Sequence, residues 1–380
     1  MEHTRTAFIT AAQQVGAAAA AAAPRAERDR RLDPEVVRGL VAAGFARHFV
    51  PASCGGDEGT FLELNRAVAA VGSGCTATAW CASLTSHVGR MAAHLPAAGR
   101  HELWADGPDA FLVAALTPGG RAEPVAGGYR LSGRWPFISA IDYADWALLA
   151  ALVDEDGGEH PRVFAVPRAA LRIEDTWHNV GMAATGSHTV VVAEALIPAA
   201  RTVTRADLFA GRADSNAPCH RIPMQATTMM FATPVLGAAQ GALAAWLQHV
   251  TPKIRAAAEN PVVPLPGMPS FHRVGYDVEL AECTARTDAA ELLLERAAST
   301  ADLGPEITEL QTMRSWRDCA VATADLVRVV DGLFQRCGTS GQSTAHPVQR
   351  FWRDVNSVAS HQGLRTEAAA TAYSYRLLGI

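Results

Sequence analysis

The spacing of apolar residues changes period twice along these 380 residues, and that order limits the folds open to the chain. Up to about residue 108 the pattern is helical. Asp33-Pro34-Glu35 reads as an N-cap, an N1 proline and a first-turn acid, with Val36, Val37, Leu40 and Val41 following at helix spacing and Gly44 as the stop. Further helices are expected over 61–71 and 77–95. From 109 to about 206 the period shortens, with β-rich runs at 111–116, 129–135, 146–153, 163–166 and 189–192 separated by Gly-Gly, Asp-Gly-Gly and Pro. The rest is helical again: 224–250, 274–300, 306–337 and 348–378 are each long enough for a helix of a bundle, and the four prolines of 260–270 make that segment a loop. The expectation is a mixed, mostly α chain of three parts: a helical domain over 1–108, an antiparallel β-domain over 109–206 and a four-helix bundle over 207–380.

Composition narrows the function. A chain that is 49% hydrophobic and 19% charged, with net charge −5, is globular and carries no basic stripe for nucleic acid. The longest alanine block ends at Pro24-Arg25, short of the roughly 18 residues of a spanning helix, and no secretory leader is evident. These features imply no membrane and a cytoplasmic location. The seven cysteines are scattered and never spaced CxxC, so free buried thiols are expected, with no metal.

Three stretches carry chemistry. Gly127-Gly128-Tyr129-Arg130-Leu131-Ser132-Gly133-Arg134-Trp135-Pro136-Phe137-Ile138-Ser139, followed by Asp145-Trp146, resembles a signature of the two-component (group D) flavin-dependent monooxygenases. Trp177-His178-Asn179-Val180-Gly181-Met182-Ala183-Ala184-Thr185-Gly186-Ser187 is similar to their second segment. His346-Pro347-Val348-Gln349-Arg350-Phe351-Trp352-Arg353-Asp354-Val355, ending at His361, is similar to their third. All three lie in the family's order. The resemblance implies an acyl-CoA dehydrogenase-like fold with a flavin between β-domain and bundle, and bundles packed as a homotetramer. It implies an oxygenase component that hydroxylates a phenolic or polyketide-like aromatic molecule through a C4a-hydroperoxyflavin. The cofactors would be O2 and FMNH2 or FADH2 from a separate NAD(P)H:flavin reductase. Ala140 and Ala183 depart from the glycine and arginine of many relatives, which bears on pocket shape.

On that resemblance, Ser139 is the hydroxyl facing flavin N5, His361, on the last helix, the imidazole near C4a, and His87 the base for a substrate phenol. Without it, Ser139 is an ordinary strand-end serine, His361 a satisfied core histidine and His87 a helix-end histidine at a domain contact. Trp135, Phe137, Thr117, Thr185, Ser187, Arg350 and Arg353 are the cofactor-binding candidates, and Trp80 joins His87 on the substrate side. The Gly-rich break 336–343 is similar to a family turn that reaches a neighbouring subunit's cofactor.

Neither GxGxxG between a strand and a helix nor GxxxxGK[ST] occurs, so no dinucleotide fingerprint or P-loop is present for reducing a flavin within the chain. Two alternatives stay open. An acyl-CoA dehydrogenase proper needs a carboxylate base, yet Glu367 lies beyond the third motif. An N- or S-oxygenase on the same fold needs no phenol-activating base.

Overall fold

A computed structural model describes residues 2–155, 157–259 and 273–380. The expected loop at 260–270 lies outside the described residues. Five helices come first: α1 (Glu2–Asp29), α2 (Pro34–Ala43), α3 (Phe61–Gly72), α4 (Thr76–Ala92) and α5 (Ala97–Leu103). Asp33 accepts the Glu35 amide at 2.8 Å, and Gly44 closes α2 in the left-handed region, as those residues imply. The long α1 has no large apolar stripe to announce it. Its buried face is Ala12, Val15, Ala19, Ala23 and Ala26, small because the helix lies almost against α3: a Cβ on Gly16 would stand 2.7 Å from the Ala70 carbonyl oxygen.

The strands are β1 (Leu112–Ala115), β2 (Gly120–Val125), β3 (Gly128–Ile138), β4 (Trp146–Glu155), β5 (Gly158–Pro167), β6 (Arg172–Glu174), β7 (His188–Pro198) and β8 (Thr202–Thr204). They form one sheet in the order β6-β7-β3-β2-β4-β5-β8, with β1 also on β4. The sheet is mixed where an antiparallel one was expected: β1 and β2 both run parallel to β4, pairing with its first and second halves. Two short strands thus share one long edge, a non-local arrangement with no local sequence signal.

After α6 (Arg205–Ala210) come α7 (Met229–Glu259), α8 (Arg273–Ala301), α9 (Glu309–Arg336), α10 (Pro347–Ala359) and α11 (Thr366–Leu378). The expected helix over 348–378 is broken between Ala359 and Thr366 by a short 3-10 turn, so His361 stands in that break, off any long helix. The stretch Met224–Glu259 is long and apolar enough to cross a membrane by length and composition, against the sequence expectation, but 67% of its most apolar window is buried inside the fold. It is the core helix. α7 crosses α3 so closely that a Cβ on Gly237 would meet the Ala69 carbonyl oxygen at 2.4 Å, and the Thr233 hydroxyl donates to Asn65 at the same crossing. The N-terminal helices and the bundle therefore share one core. At its centre is α4, in which every residue except Trp80 and Leu84 is buried.

Candidate active site

Three residues other than glycine that hold φ near +60° surround one point: Phe137, Ala140 and Met182. Left-handed backbone costs an ordinary residue about 1–2 kcal/mol, so the surrounding packing must enforce it. The enforcing contacts are visible. The Ala140 amide donates to the Thr185 carbonyl at 2.7 Å, tying the end of β3 to the second motif. The Met182 amide donates to Asp354 Oδ1 at 2.6 Å, tying that motif to α10. A Cβ on Gly181 would stand 2.2 Å from the Arg353 carbonyl, so only glycine permits this approach. Burial pushes the Asp354 carboxyl up to about 6.

The clamp holds a chain of hydroxyls whose proton direction follows from its far end. Thr185 Oγ1 donates to the Met182 carbonyl at 2.8 Å and has no second proton. Ser187, 2.6 Å away, must therefore donate to Thr185, and Ser139, 2.8 Å from Ser187, must donate to Ser187. The Trp80 indole N–H then donates to Ser139 Oγ at 3.0 Å. One lone pair remains on a half-buried Ser139, an acceptor for an incoming N–H.

Trp80 joins this chain to His361, whose ring centroid lies 5.7 Å from the indole and 4.1 Å from Phe231. His361 Nδ1 accepts the Gly363 amide at 3.2 Å, which leaves its proton on Nε2. Burial lowers its pKa, so near neutral pH it is a neutral N–H donor.

The structure thus brings Ser139, Thr185, Ser187, Trp80 and His361 together. Trp135 is elsewhere: it is fully enclosed in the sheet, over Gly119, Gly120 and Gly133, with its indole N–H on the Ala150 carbonyl at 2.7 Å. Phe137 adjoins Ser139 but is 71% exposed, its ring 6.1 Å from Trp177. Thr117 is exposed in the bend between β1 and β2. Arg353 is a strut, bonded to the Val180 carbonyl at 2.6 Å and Gln349 at 2.8 Å and ion-paired with Glu27. Arg350 keeps a buried Nε without a partner. His87 sits two helical turns along α4 from Trp80, 1% exposed, between the rings of Phe49 and Phe61 at 5.4 and 5.8 Å. Burial, with Arg90 and His48 nearby, lowers its pKa well below the usual histidine value.

Sequence reasoning passed over Phe231 and the anchoring role of Asp354. The signal for Asp354 was its place between Arg353 and Val355 in the third motif. It also passed over His249, Cys337 and His346, whose potential ligand atoms lie within 4.8 Å of one another. The Lys253 ammonium lies 2.7 Å from His249 Nε2, where a metal would need that lone pair.

A flavin fits this site on two observations: the free acceptor of Ser139 and the exposed aromatic wall of Phe137 beside it.

The FADH(2)-dependent resorcinol hydroxylase oxygenase component of Rhizobium sp. strain MTP-10005 is 31% identical over 94% of this chain and 90% of its own length. The chain belongs to the flavin-dependent monooxygenases. Residues 229–366 match the acyl-CoA dehydrogenase C-terminal domain family. The 3-HSA hydroxylase of Rhodococcus sp. RHA1 superposes with a TM-score of 0.91 at 26% identity, covering 98% of this chain and 97% of that one. XiaF from Streptomyces sp., solved with FADH2 and glycerol, superposes at 0.89 with 26% identity, over 100% of this chain and 96% of its own. Members of this group work on reduced flavin and O2 as oxygenase components.

Ser139→Ala is expected to raise the share of reduced flavin lost as hydrogen peroxide by about tenfold, since one hydrogen bond at such a site is worth about 1–3 kcal/mol. A peroxidase-coupled assay with a fixed supply of reduced flavin measures it. An unchanged peroxide yield would remove Ser139 from the site.

Proposed function

We propose that this monooxygenase hydroxylates a phenolic or polyketide-like aromatic molecule, using FMNH2 or FADH2 from a separate NAD(P)H:flavin reductase, as a cytoplasmic homotetramer. The observation that carries it is the Ser139 acceptor and the His361 Nε2–H donor held on either side of one indole, Trp80. Bound reduced flavin supplies the activation of O2 and the transfer of one oxygen atom to an electron-rich ring. Ser139 accepts the cofactor's N–H and fixes its edge. His361 offers a hydrogen-bond donor, without a positive charge, where oxygen is handled, and Phe231 and Trp80 keep water away from it. His87, kept neutral by burial, offers a lone pair to the hydroxyl of the substrate phenol and takes its proton only as the ring gives up electron density to oxygen. Thr185 and Ser187 orient Ser139; Arg350 meets the cofactor phosphate.

Two features support the remaining parts. The sequence has no dinucleotide fingerprint, so reducing equivalents come from another protein. Val274, Val278 and Leu292 on α8, with Tyr375, Leu377, Leu378 and Ile380 at the C-terminus, expose apolar surface suited to copies of the same chain. In this arrangement 109–206 and 207–380 supply opposite walls of the flavin site, and 1–108 the substrate wall.

The test is a two-component assay with isotopically labelled O2, a panel of phenols including resorcinol, and NADH, with and without an added flavin reductase. The chain alone is expected to oxidise no NADH, and addition of the reductase is expected to yield a product carrying one labelled oxygen atom. NADH oxidation by the purified chain alone, or product without label, would overturn the proposal.

A further inference from the structure

Helix α4 carries a polar stripe through the core. Trp80, Ser83, His87, Arg90 and His94 follow at spacings of three and four, which places them on one face, with His94 just past the helix end. The first two are satisfied: Trp80 donates to Ser139, and Ser83 donates to the Met230 carbonyl at 2.8 Å. The last three are not. His87 Nδ1, Arg90 Nε and Nη1, and His94 Nε2 are all buried without a hydrogen-bond partner.

Arg90 is the severe case. It is 0% exposed, and among the described residues its one side-chain hydrogen bond is a weak one, from Nη2 to the Met224 sulfur at 3.5 Å. No carboxylate pairs with it among the described residues. The acidic group that acts on it is the Cys219 thiol, which burial pushes up to about 12 and so keeps neutral. His94 does not compensate: its Nδ1–H donates to the Arg90 carbonyl at 3.2 Å, the ring is kept neutral, and its acceptor Nε2 has no partner. An isolated buried cation costs a protein several kcal/mol, and guanidinium does not escape by losing its proton. The groups that feel its charge are the Cys219 thiol and the histidines His87, His94 and His220, and none of these supplies a negative charge.

We propose that Arg90 is the counter-cation for an anionic oxygen of the aromatic ligand, a phenolate or a carboxylate, bound between His87 and Arg90. The inference rests on the hydroxylase reading and names the charge its substrate carries. A planar fork of N–H donors matches either oxyanion. His87 stands one turn before Arg90, the spacing at which helical side chains meet, and the Arg90 charge acts on it, so the two unpartnered groups share one neighbourhood. Phe49 and Phe61 flank His87 and suit a ring behind that oxygen.

The experiment is isothermal titration of the full chain, without flavin or reductase, at a pH where both acids are ionised. The probes are 4-nitrophenolate against its neutral methyl ether, 4-nitroanisole, and phenylacetate against neutral phenylacetamide. Wild type is expected to prefer one of the anions over its neutral partner by about tenfold or more, and the anion preferred identifies the source of the oxygen. Arg90→Met and Arg90→Gln should each abolish that preference. In the absence of ligand Arg90→Met should melt higher than wild type, because it removes an uncompensated charge. The proposal falls if neither anion is preferred, if the preference survives in either variant, or if Arg90→Met melts lower, which would reveal a structural partner. Since no turnover is involved, such a failure leaves the labelled-oxygen assay to judge hydroxylation separately.

Discussion

Replacing either His361 or His87 with alanine is expected to lower product formation by about 10²–10⁴-fold, through different failures. His361 faces Trp80 and Phe231, with its proton held on Nε2 by the Gly363 amide. Without that donor, reduced flavin and O2 should yield hydrogen peroxide faster even when no substrate is present. His87 lies about 10 Å further along α4, enclosed by Phe49 and Phe61. Its loss should leave substrate-free peroxide release alone and abolish hydroxylation, because the phenol keeps its proton and its ring stays electron-poor. Product by chromatography and peroxide by a coupled assay separate the two, with melting curves to confirm that both variants fold. If His87→Ala hydroxylates at near wild-type rate, His87 is not the phenol base, and oxygenation at nitrogen or sulfur becomes the better reading.

The second large effect is loss of stability in mild acid. His48, His87, His94 and His220 are buried, and burial is the leading cause lowering each pKa, to about 3 for His94. In the unfolded chain these groups titrate near 6.5. Below that pH the unfolded state binds protons that the folded state refuses, so stability present above pH 6.5 is lost as pH falls toward the folded values. A histidine held near 3, as His94 is, costs about 2 kcal/mol between pH 7 and 5, and the others act in the same direction. Asp354 acts in the opposite sense: its pKa is raised to about 6, so below that value the folded state takes a proton the unfolded chain takes only near 4, and stability is regained. Asp57 and Glu291, also raised by burial, act with Asp354, and the buried histidines outweigh the three, leaving a net loss of a few kcal/mol and a drop in melting temperature on the order of 5 °C. Thermal melts at pH 7 and pH 5 measure it; equal melting temperatures would show that these histidines are not held neutral.

Whatever depends on neighbours along the chain is legible in the residues alone. Asp33-Pro34-Glu35 and Gly44 bracket α2 because capping groups act within one turn. The change from helical to alternating period marks the sheet, and the three motifs mark the segments that meet at Ser139. The same logic fails where a residue's role depends on what lies across from it. Alanines in α1 form a helix face only because α3 comes close enough to need small residues, and β1 and β2 choose the same edge of β4 only once the sheet is assembled. Trp135 and Ser139 share one motif four residues apart, yet one is sealed in the sheet and the other opens onto Trp80, because Phe137 and Ala140 turn the backbone through the left-handed region between and beside them. Arg350 and Arg353 are equivalent in the sequence until Glu27 and the Val180 carbonyl claim Arg353. Arg90 reads as one more arginine in an arginine-rich chain. Only the packing around α4, which brings apolar groups and neutral histidines to it and no carboxylate among the described residues, makes it a charge awaiting a partner. Burial and pairing are properties of the assembled surroundings, and no local pattern encodes them.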